Sequence, residues 1–338
     1  MRFAIIGAGA IGAYVGAALT RGGSDVTLVA RGPHLRAMQD RGVSVLSERG
    51  NFHARPIATD DCSEIGHVDC LIIALKAHQI AAMLPAMATC IGPHTQIVAM
   101  QNGIPWWYFQ KHGGELEGTF LQTVDPDGRL AKAFDPVRVI GCAVYCSTEI
   151  LEPGVIKHLE GTRFSLGHPS GEVTPELQQI AAAMVAGGLK APVETDLRRD
   201  VWTKLLGNVC LNPISALTRA TLEDMATDPL VEPLLREMME ESNAIARGLG
   251  VHLEISIDKR IDGARRVGAH KTSTLQDIEA GRALEIDCIV GAVVEIGELL
   301  DLPVSATRHV YALTKLLDAT TQRAAAARVR AHELVAGA

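Results

Sequence analysis

The sequence predicts an α/β protein whose first half builds a parallel sheet and whose second half is all helical. Three observations carry this reading. A glycine pattern sits between an apolar strand and a helix in the first 30 residues. Further short apolar runs, each followed by helix or loop, continue to about residue 195. From residue 197 onward the apolar spacing is helical, with few strand signals. The division expected is therefore 1–195 and 196–338, two domains being usual for 338 residues.

The stretch "RFAIIGAGAIGAYVGAALTRGGSDVTLVAR" reads as strand, tight turn, helix, turn, strand. Gly7, Gly9 and Gly12 give G-x-G-x-x-G directly after the strand "FAII". The first glycine permits the turn, the second lets backbone approach a pyrophosphate, and the third lets helix pack on strand. Residues Gly7, Ala8, Gly9, Ala10, Ile11 and Gly12 thus form a Rossmann-type dinucleotide cradle. Gly22 and Gly23 close the helix. The apolar start resembles a signal peptide, but the glycine spacing explains it better.

Nucleotide sites that prefer NAD carry an acid at the end of the second strand. Here Ala30-Arg31 stands there instead. A guanidinium at that point pairs with the 2′-phosphate of NADP(H), which a carboxylate would repel. The plainer reading is a surface arginine.

Strands follow at 68–75 and in "TQIVAMQNG", with a helix at about 78–91 between them. Lys76 and Asn102 come directly after these strands, where ligands of open α/β sheets bind. Otherwise Lys76 is a solvated lysine and Asn102-Gly103 a turn. Residues 139–147 read as the next strand, "GVIKHLEG" and "TRFSLGH" as a hairpin, and 174–187 as a helix. Second-half helices are expected at 197–211, 229–249, 256–265, 275–280, 285–300 and 305–318. A nucleotide-binding half before a helical half suggests a dehydrogenase, with catalysis in the cleft between them.

In "WTKLLGNVCLNP", Trp202, Leu205, Leu206 and Val209 share an apolar helix face, and Lys204, Asn208 and Asn212 recur every four residues beside it. Pro213 is expected to end or bend this helix at Asn212. Reduction of a ketone builds negative charge on its oxygen, which a nearby lysine stabilises and protonates. Asparagines one and two turns on add directed hydrogen bonds. The plainer reading is a stripe facing solvent.

These segments together resemble the ketopantoate reductases. The glycine motif with Arg31, "LKAHQ", "QNG", "KLLGNVCLNP" and "HKTSTLQDIEAGRALEID" occur in the family's order, from residue 1 to about 318. The resemblance implies reduction of a 2-oxo acid, 2-dehydropantoate above all, with NADP(H) as cofactor. It implies Lys204 as proton donor, and Asn102, Asn208, Asn212 and Ser273 as substrate-binding residues. It implies cofactor contacts from Lys76, Asn102, Ser147 and Glu285. Ser273 and Thr274 also suit a helix N-cap with Asp277 in its first turn, and Glu285 suits a helix start. His270 stands where the family often has an asparagine. The alternatives are a related reductase of another 2-oxo acid and a non-catalytic NADP(H)-binding regulator.

Residues 113–138 look like an insertion rich in Gly, Asp and Pro, preceded by "IPWWYFQKHGG". Trp106, Trp107 and Tyr108 either shape the mouth of a substrate site or form local core, and the insertion is either a lid or a packed loop. The net charge of −7, with no basic block, argues against nucleic acid or an anionic membrane surface. Seven scattered cysteines without a CxxC pair argue against zinc and disulfides and fit a reducing cytoplasm. No metal is signalled. The apolar helices at 285–318 suit a homodimer surface as well as domain core.

Overall fold

The computed structural model describes residues 1–336, and side chains up to residue 327. The chain forms two compact units, Met1–Asp200 and Val201–Ala338.

In the first unit the order is β1 (Arg2–Ile6), α1 (Ala10–Arg21), β2 (Asp25–Val29), α2 (Gly32–Arg41), β3 (Val43–Leu46), β4 (Phe52–Ala54) and β5 (Ile57–Thr59). Then come β6 (Cys70–Ile73), α3 (Ala77–Ala88), β7 (Gln96–Ala99), α4 (Arg129–Ala133), β8 (Val139–Glu152), β9 (Val155–Gly167) and α5 (Pro175–Ala186). All nine strands join one sheet, ordered β4-β3-β9-β8-β7-β6-β1-β2-β5. From β8 through β7, β6, β1 and β2 to β5 every pairing is parallel.

Both faces of this sheet are buried, as parallel strands require. Phe3 and Ile5 point into one core with Leu19, Leu28, Phe164 and Ile180. Ala4 and Ile6 alternate to the other side, against Ile80, Met87, Trp107 and Leu130.

One expected hairpin is absent. Residues 155–167 form the single strand β9, which pairs antiparallel with β8 across the turn at Pro153-Gly154. Gly161, with φ of 70°, serves a bulge rather than a turn: the register shifts opposite it, between Tyr145 and Ser147. The short strands β3, β4 and β5 have no counterpart in the sequence reading.

The aromatic run belongs to the core. Trp106, Trp107, Tyr108 and Phe109 are all at most 4% exposed, so they do not form the mouth of a site. Trp107 lies on the bare backbone of Gly141 in β8, where a Cβ would sit 2.2 Å from its ring. Arg198 secures the run by donating to the carbonyls of Tyr108 and Gln110, at 2.9 and 2.8 Å. Trp107→Ala should therefore cost about 3–5 kcal/mol of stability, measurable by denaturant unfolding, while leaving relative substrate preference unchanged.

The second part of the insertion is packed in the same way. Buried Asp125 accepts hydrogen bonds from the Leu130 and Ala131 amides at 2.8 and 2.9 Å, holding the start of α4. Leu130 and Phe134 are core residues. This part is a packed loop rather than a lid.

The second unit contains α6 (Leu197–Thr218), whose first residues count with the first unit, α7 (Leu222–Thr227), α8 (Glu232–Gly248), α9 (Ile257–Val267) and α10 (Ser273–Glu279). A π-helical turn at Asp287–Gly291 leads into α11 (Ala292–Leu299), and α12 (Ser305–Ala336) follows. No strand occurs among its described residues. Pro213 does not end α6. Buried Ile214 and Ala216 hold the next turn in place, although Pro213 donates no backbone hydrogen bond. Six of the seven thiols are buried and all seven are free. Among the described residues no helix is long and apolar enough to cross a membrane.

Candidate active site

In the first unit, the residues singled out from the sequence gather at the carboxyl ends of adjacent parallel strands. β1 stops at Ile6, and Gly7 turns the chain with φ of 95°. The Gly7 and Ala8 amides both donate to the Val29 carbonyl, at 3.2 and 2.9 Å, tying this turn to the end of β2. Gly9 caps α1, and the Ala13 amide donates to its carbonyl. The amides of Ala10, Ile11 and Gly12 thus have no intrahelical acceptor.

The three glycines differ in what surrounds them. A Cβ at residue 12 would lie 2.3 Å from the Gly7 carbonyl oxygen, so a side chain is excluded there. A Cβ at residue 9 would meet nothing within 4 Å. Glycine at that point leaves open space above the helix terminus, and no acidic side chain occupies the first turn of α1. This cradle fits a pyrophosphate.

Arg31 stands directly after β2, as N-cap of α2, and is exposed. Its guanidinium reaches towards α3, 3.2 Å from Met83 Sδ. It also counteracts the rise of the Cys62 thiol, which burial pushes up to about 11. Lys76, half-buried, caps α3, where its amide donates to Gln79 Oε1 at 3.3 Å. Asn102 is half-buried in the loop after β7. Its neighbour Gln101, which the sequence reading passed over, donates to the carbonyls of Ile73 and Leu75 at 2.8 and 3.3 Å. Gln101 thereby clamps the Asn102 loop to the loop carrying Lys76. Ser147 is half-buried in β8, beyond the stretch paired with β7 and at the bulge opposite Gly161.

In the second unit, α6 sets Lys204, Asn208 and Asn212 in one line. Trp202, Leu205, Leu206 and Val209 are at most 1% exposed and anchor the helix. The polar line does not face open solvent: Lys204 and Asn208 are half-buried and Asn212 is 6% exposed.

Ser273 begins α10 but does not cap it. The cap is Thr272, whose hydroxyl accepts from the Leu275 amide at 3.1 Å. Ser273 is exposed, and among the described residues its hydroxyl makes no hydrogen bond. Thr274 is buried. His270, half-buried, accepts from the Leu222 amide through its carbonyl. Glu285, also half-buried, stands two residues before the start of the π-helical turn. Asp287 within that turn accepts from the Tyr311 hydroxyl at 2.6 Å and from Lys315 Nζ at 2.9 Å. These ties fix the backbone two residues from Glu285.

Two family models match the chain. Residues 3–171 match the model "Ketopantoate reductase PanE/ApbA", and residues 196–318 match its C-terminal model. The chain belongs to the ketopantoate reductase family. A 2-dehydropantoate 2-reductase of Mesorhizobium japonicum is 47% identical over 94% of this chain and 98% of its own. A crystal structure from Ralstonia solanacearum is 38% identical, with a TM-score of 0.89 over 95% of this chain and 98% of that one. The PanE/ApbA family ketopantoate reductase of Ralstonia eutropha is 27% identical, with a TM-score of 0.82 over 95% and 100%. The ketopantoate reductase fold thus extends over nearly the whole chain.

Proposed function

We propose that this chain reduces 2-dehydropantoate to pantoate with NADPH. The observation that carries the reading is the α6 line: a half-buried lysine with an asparagine one turn on and a buried asparagine two turns on. Family membership over both parts of the chain supports it. So does the name of the 47% identical relative.

In this reading residues 1–195 hold the cofactor and 196–338 supply the catalytic groups. The Ala10, Ile11 and Gly12 amides bind the pyrophosphate, in the space that Gly9 leaves open. Arg31 binds the 2′-phosphate, and this makes the cofactor NADP(H) rather than NAD(H). Lys76, Asn102, Ser147 and Glu285 make further cofactor contacts. A nicotinamide cofactor held by these residues would supply the hydride for reduction of the keto carbon. Asn102, Asn208, Asn212 and Ser273 orient the substrate through directed hydrogen bonds. Lys204 stabilises the negative charge developing on the keto oxygen and hands it a proton.

The test is a panel of 2-oxo acids, followed by NADPH oxidation. The expected result is a kcat/KM for 2-dehydropantoate at least about tenfold above that for other branched or aromatic 2-oxo acids, a gap of ~1.4 kcal/mol in transition-state binding. A higher value for another acid would make the chain a reductase of that acid. NADPH binding without turnover of any acid would favour a non-catalytic regulator.

A further inference from the structure

Gly207 raises a question that the proton-donor line leaves unanswered. It lies inside α6, three residues after Lys204 and next to Asn208. A glycine inside a helix is destabilising relative to alanine. Its surroundings supply the reason. A Cβ at residue 207 would sit 2.1 Å from one terminal nitrogen of Arg260, 2.3 Å from its Nε and 2.5 Å from its Cζ. The guanidinium therefore lies flat on the helix where a side chain is missing. Its charge also opposes the rise that burial imposes on the nearby Cys210 thiol.

This cation has no acid of its own. Arg260 comes from α9, whose acids serve other cations: Asp258 pairs with Arg236 and Asp262 with Arg265, at 2.8 and 2.6 Å. Among the described residues no carboxylate pairs with Arg260, and its Nε is buried without a hydrogen-bond partner. Arg260 as a whole is half-buried, so part of it remains open to a small anion. A partly desolvated cation without a counter-charge is costly unless an anion arrives to complete it. At 100° per residue, Gly207 lies about 60° from Lys204 around the helix axis. The unpaired guanidinium thus borders the line of Lys204, Asn208 and Asn212 proposed above to meet the substrate.

We propose that Arg260 binds the carboxylate of the 2-oxo acid and so selects acids over neutral ketones. The guanidinium fork matches a carboxylate geometrically, which an ammonium does not. The inference rests on the reductase reading above and adds a specificity-determining residue to it. Gly207 keeps the seat for that guanidinium free.

The experiment compares a 2-oxo acid with its methyl ester as substrates, both with NADPH, in the parent, Arg260→Gln, Arg260→Lys and Gly207→Ala. The parent should prefer the acid. In Arg260→Gln the acid-to-ester ratio of kcat/KM should fall by about 10²-fold, mainly through KM for the acid, with the ester nearly unchanged. Arg260→Lys should restore part of the ratio. Gly207→Ala keeps every charge and only displaces the flexible end of Arg260, so it should fold and lose roughly tenfold in the ratio. An unmoved ratio in Arg260→Gln, or an equal fall for acid and ester, would overturn the proposal in favour of a purely structural arginine. Failure of the reductase reading looks different: the parent itself would turn over neither compound, and the carboxylate role would fall with it.

Discussion

Lys204→Ala is expected to fold, to bind NADPH as the parent does, and to lose turnover by about 10²–10⁴-fold, the range for a lost acid–base group. Folding should survive because the anchors of α6 lie elsewhere. Trp202, Leu205, Leu206 and Val209 are at most 1% exposed, and none is altered. Half-buried Lys204 contributes stem packing, so a stability loss of ~1 kcal/mol is expected. NADPH affinity should hold because the proposed phosphate contacts come from the glycine turn and Arg31. Lys204→Arg should recover binding better than rate, since a guanidinium stays protonated near neutral pH. Asn208→Ala should raise KM with a smaller loss in kcat, because one directed contact is lost while the proton donor remains. Stopped-flow NADPH oxidation with parallel melting curves decides this. A folded Lys204→Ala chain with near-parent turnover would remove lysine from the chemistry.

Arg31→Asp should change cofactor choice by a comparable margin. Arg31 is exposed at the end of β2, and among the described residues its side chain hydrogen-bonds to Met83 Sδ, a weak acceptor. Little structural cost is therefore expected. The substitution replaces a charge-assisted contact to the 2′-phosphate with repulsion. The ratio of NADPH to NADH efficiency should fall on the order of 10²-fold, with NADH itself little affected. An unchanged ratio would return Arg31 to the status of a surface arginine.

Legibility in the sequence followed the physics of each element. The β1–α1–β2 unit was readable because its glycines answer steric demands: Gly7 needs positive φ, and Gly12 excludes a Cβ. The strands β3, β4 and β5 are three or four residues long, too short to display an alternation. Gly161 looked like a turn because glycine serves turns and bulges through the same positive φ, and only the pairing partner tells them apart. Three successive hydroxyl residues, Thr272, Ser273 and Thr274, made the cap of α10 ambiguous by one position. Pro213 misled for a related reason. Local preference argues for a helix end, and burial of Ile214 and Ala216 overrides it.

The candidate site divides along the same line. Positions fixed by a strand end or a helical period, such as Arg31, Asn102 and the α6 line, could be named from spacing alone. Gln101 and Arg260 could not. Gln101 acts through carbonyls at and just beyond the end of β6, and Arg260 lies on a helix far downstream in sequence of the one it covers. The one sequence signal for Arg260 is the glycine inside α6. The aromatic run carried the opposite lesson: closeness to Asn102 in sequence did not keep Trp106 and Trp107 out of the core.

The central claim is that this chain transfers reducing equivalents from NADPH to the keto carbon of 2-dehydropantoate. Isotope transfer tests it most directly. The chain is incubated with 2-dehydropantoate and NADPH deuterated at nicotinamide C4, in separate preparations for the two faces, and the product is analysed by mass spectrometry. The account predicts pantoate carrying one deuterium at C2 from one of the two preparations only, and none when unlabelled NADPH is used in deuterated water. Unlabelled pantoate from both preparations, or no pantoate at all, would contradict it.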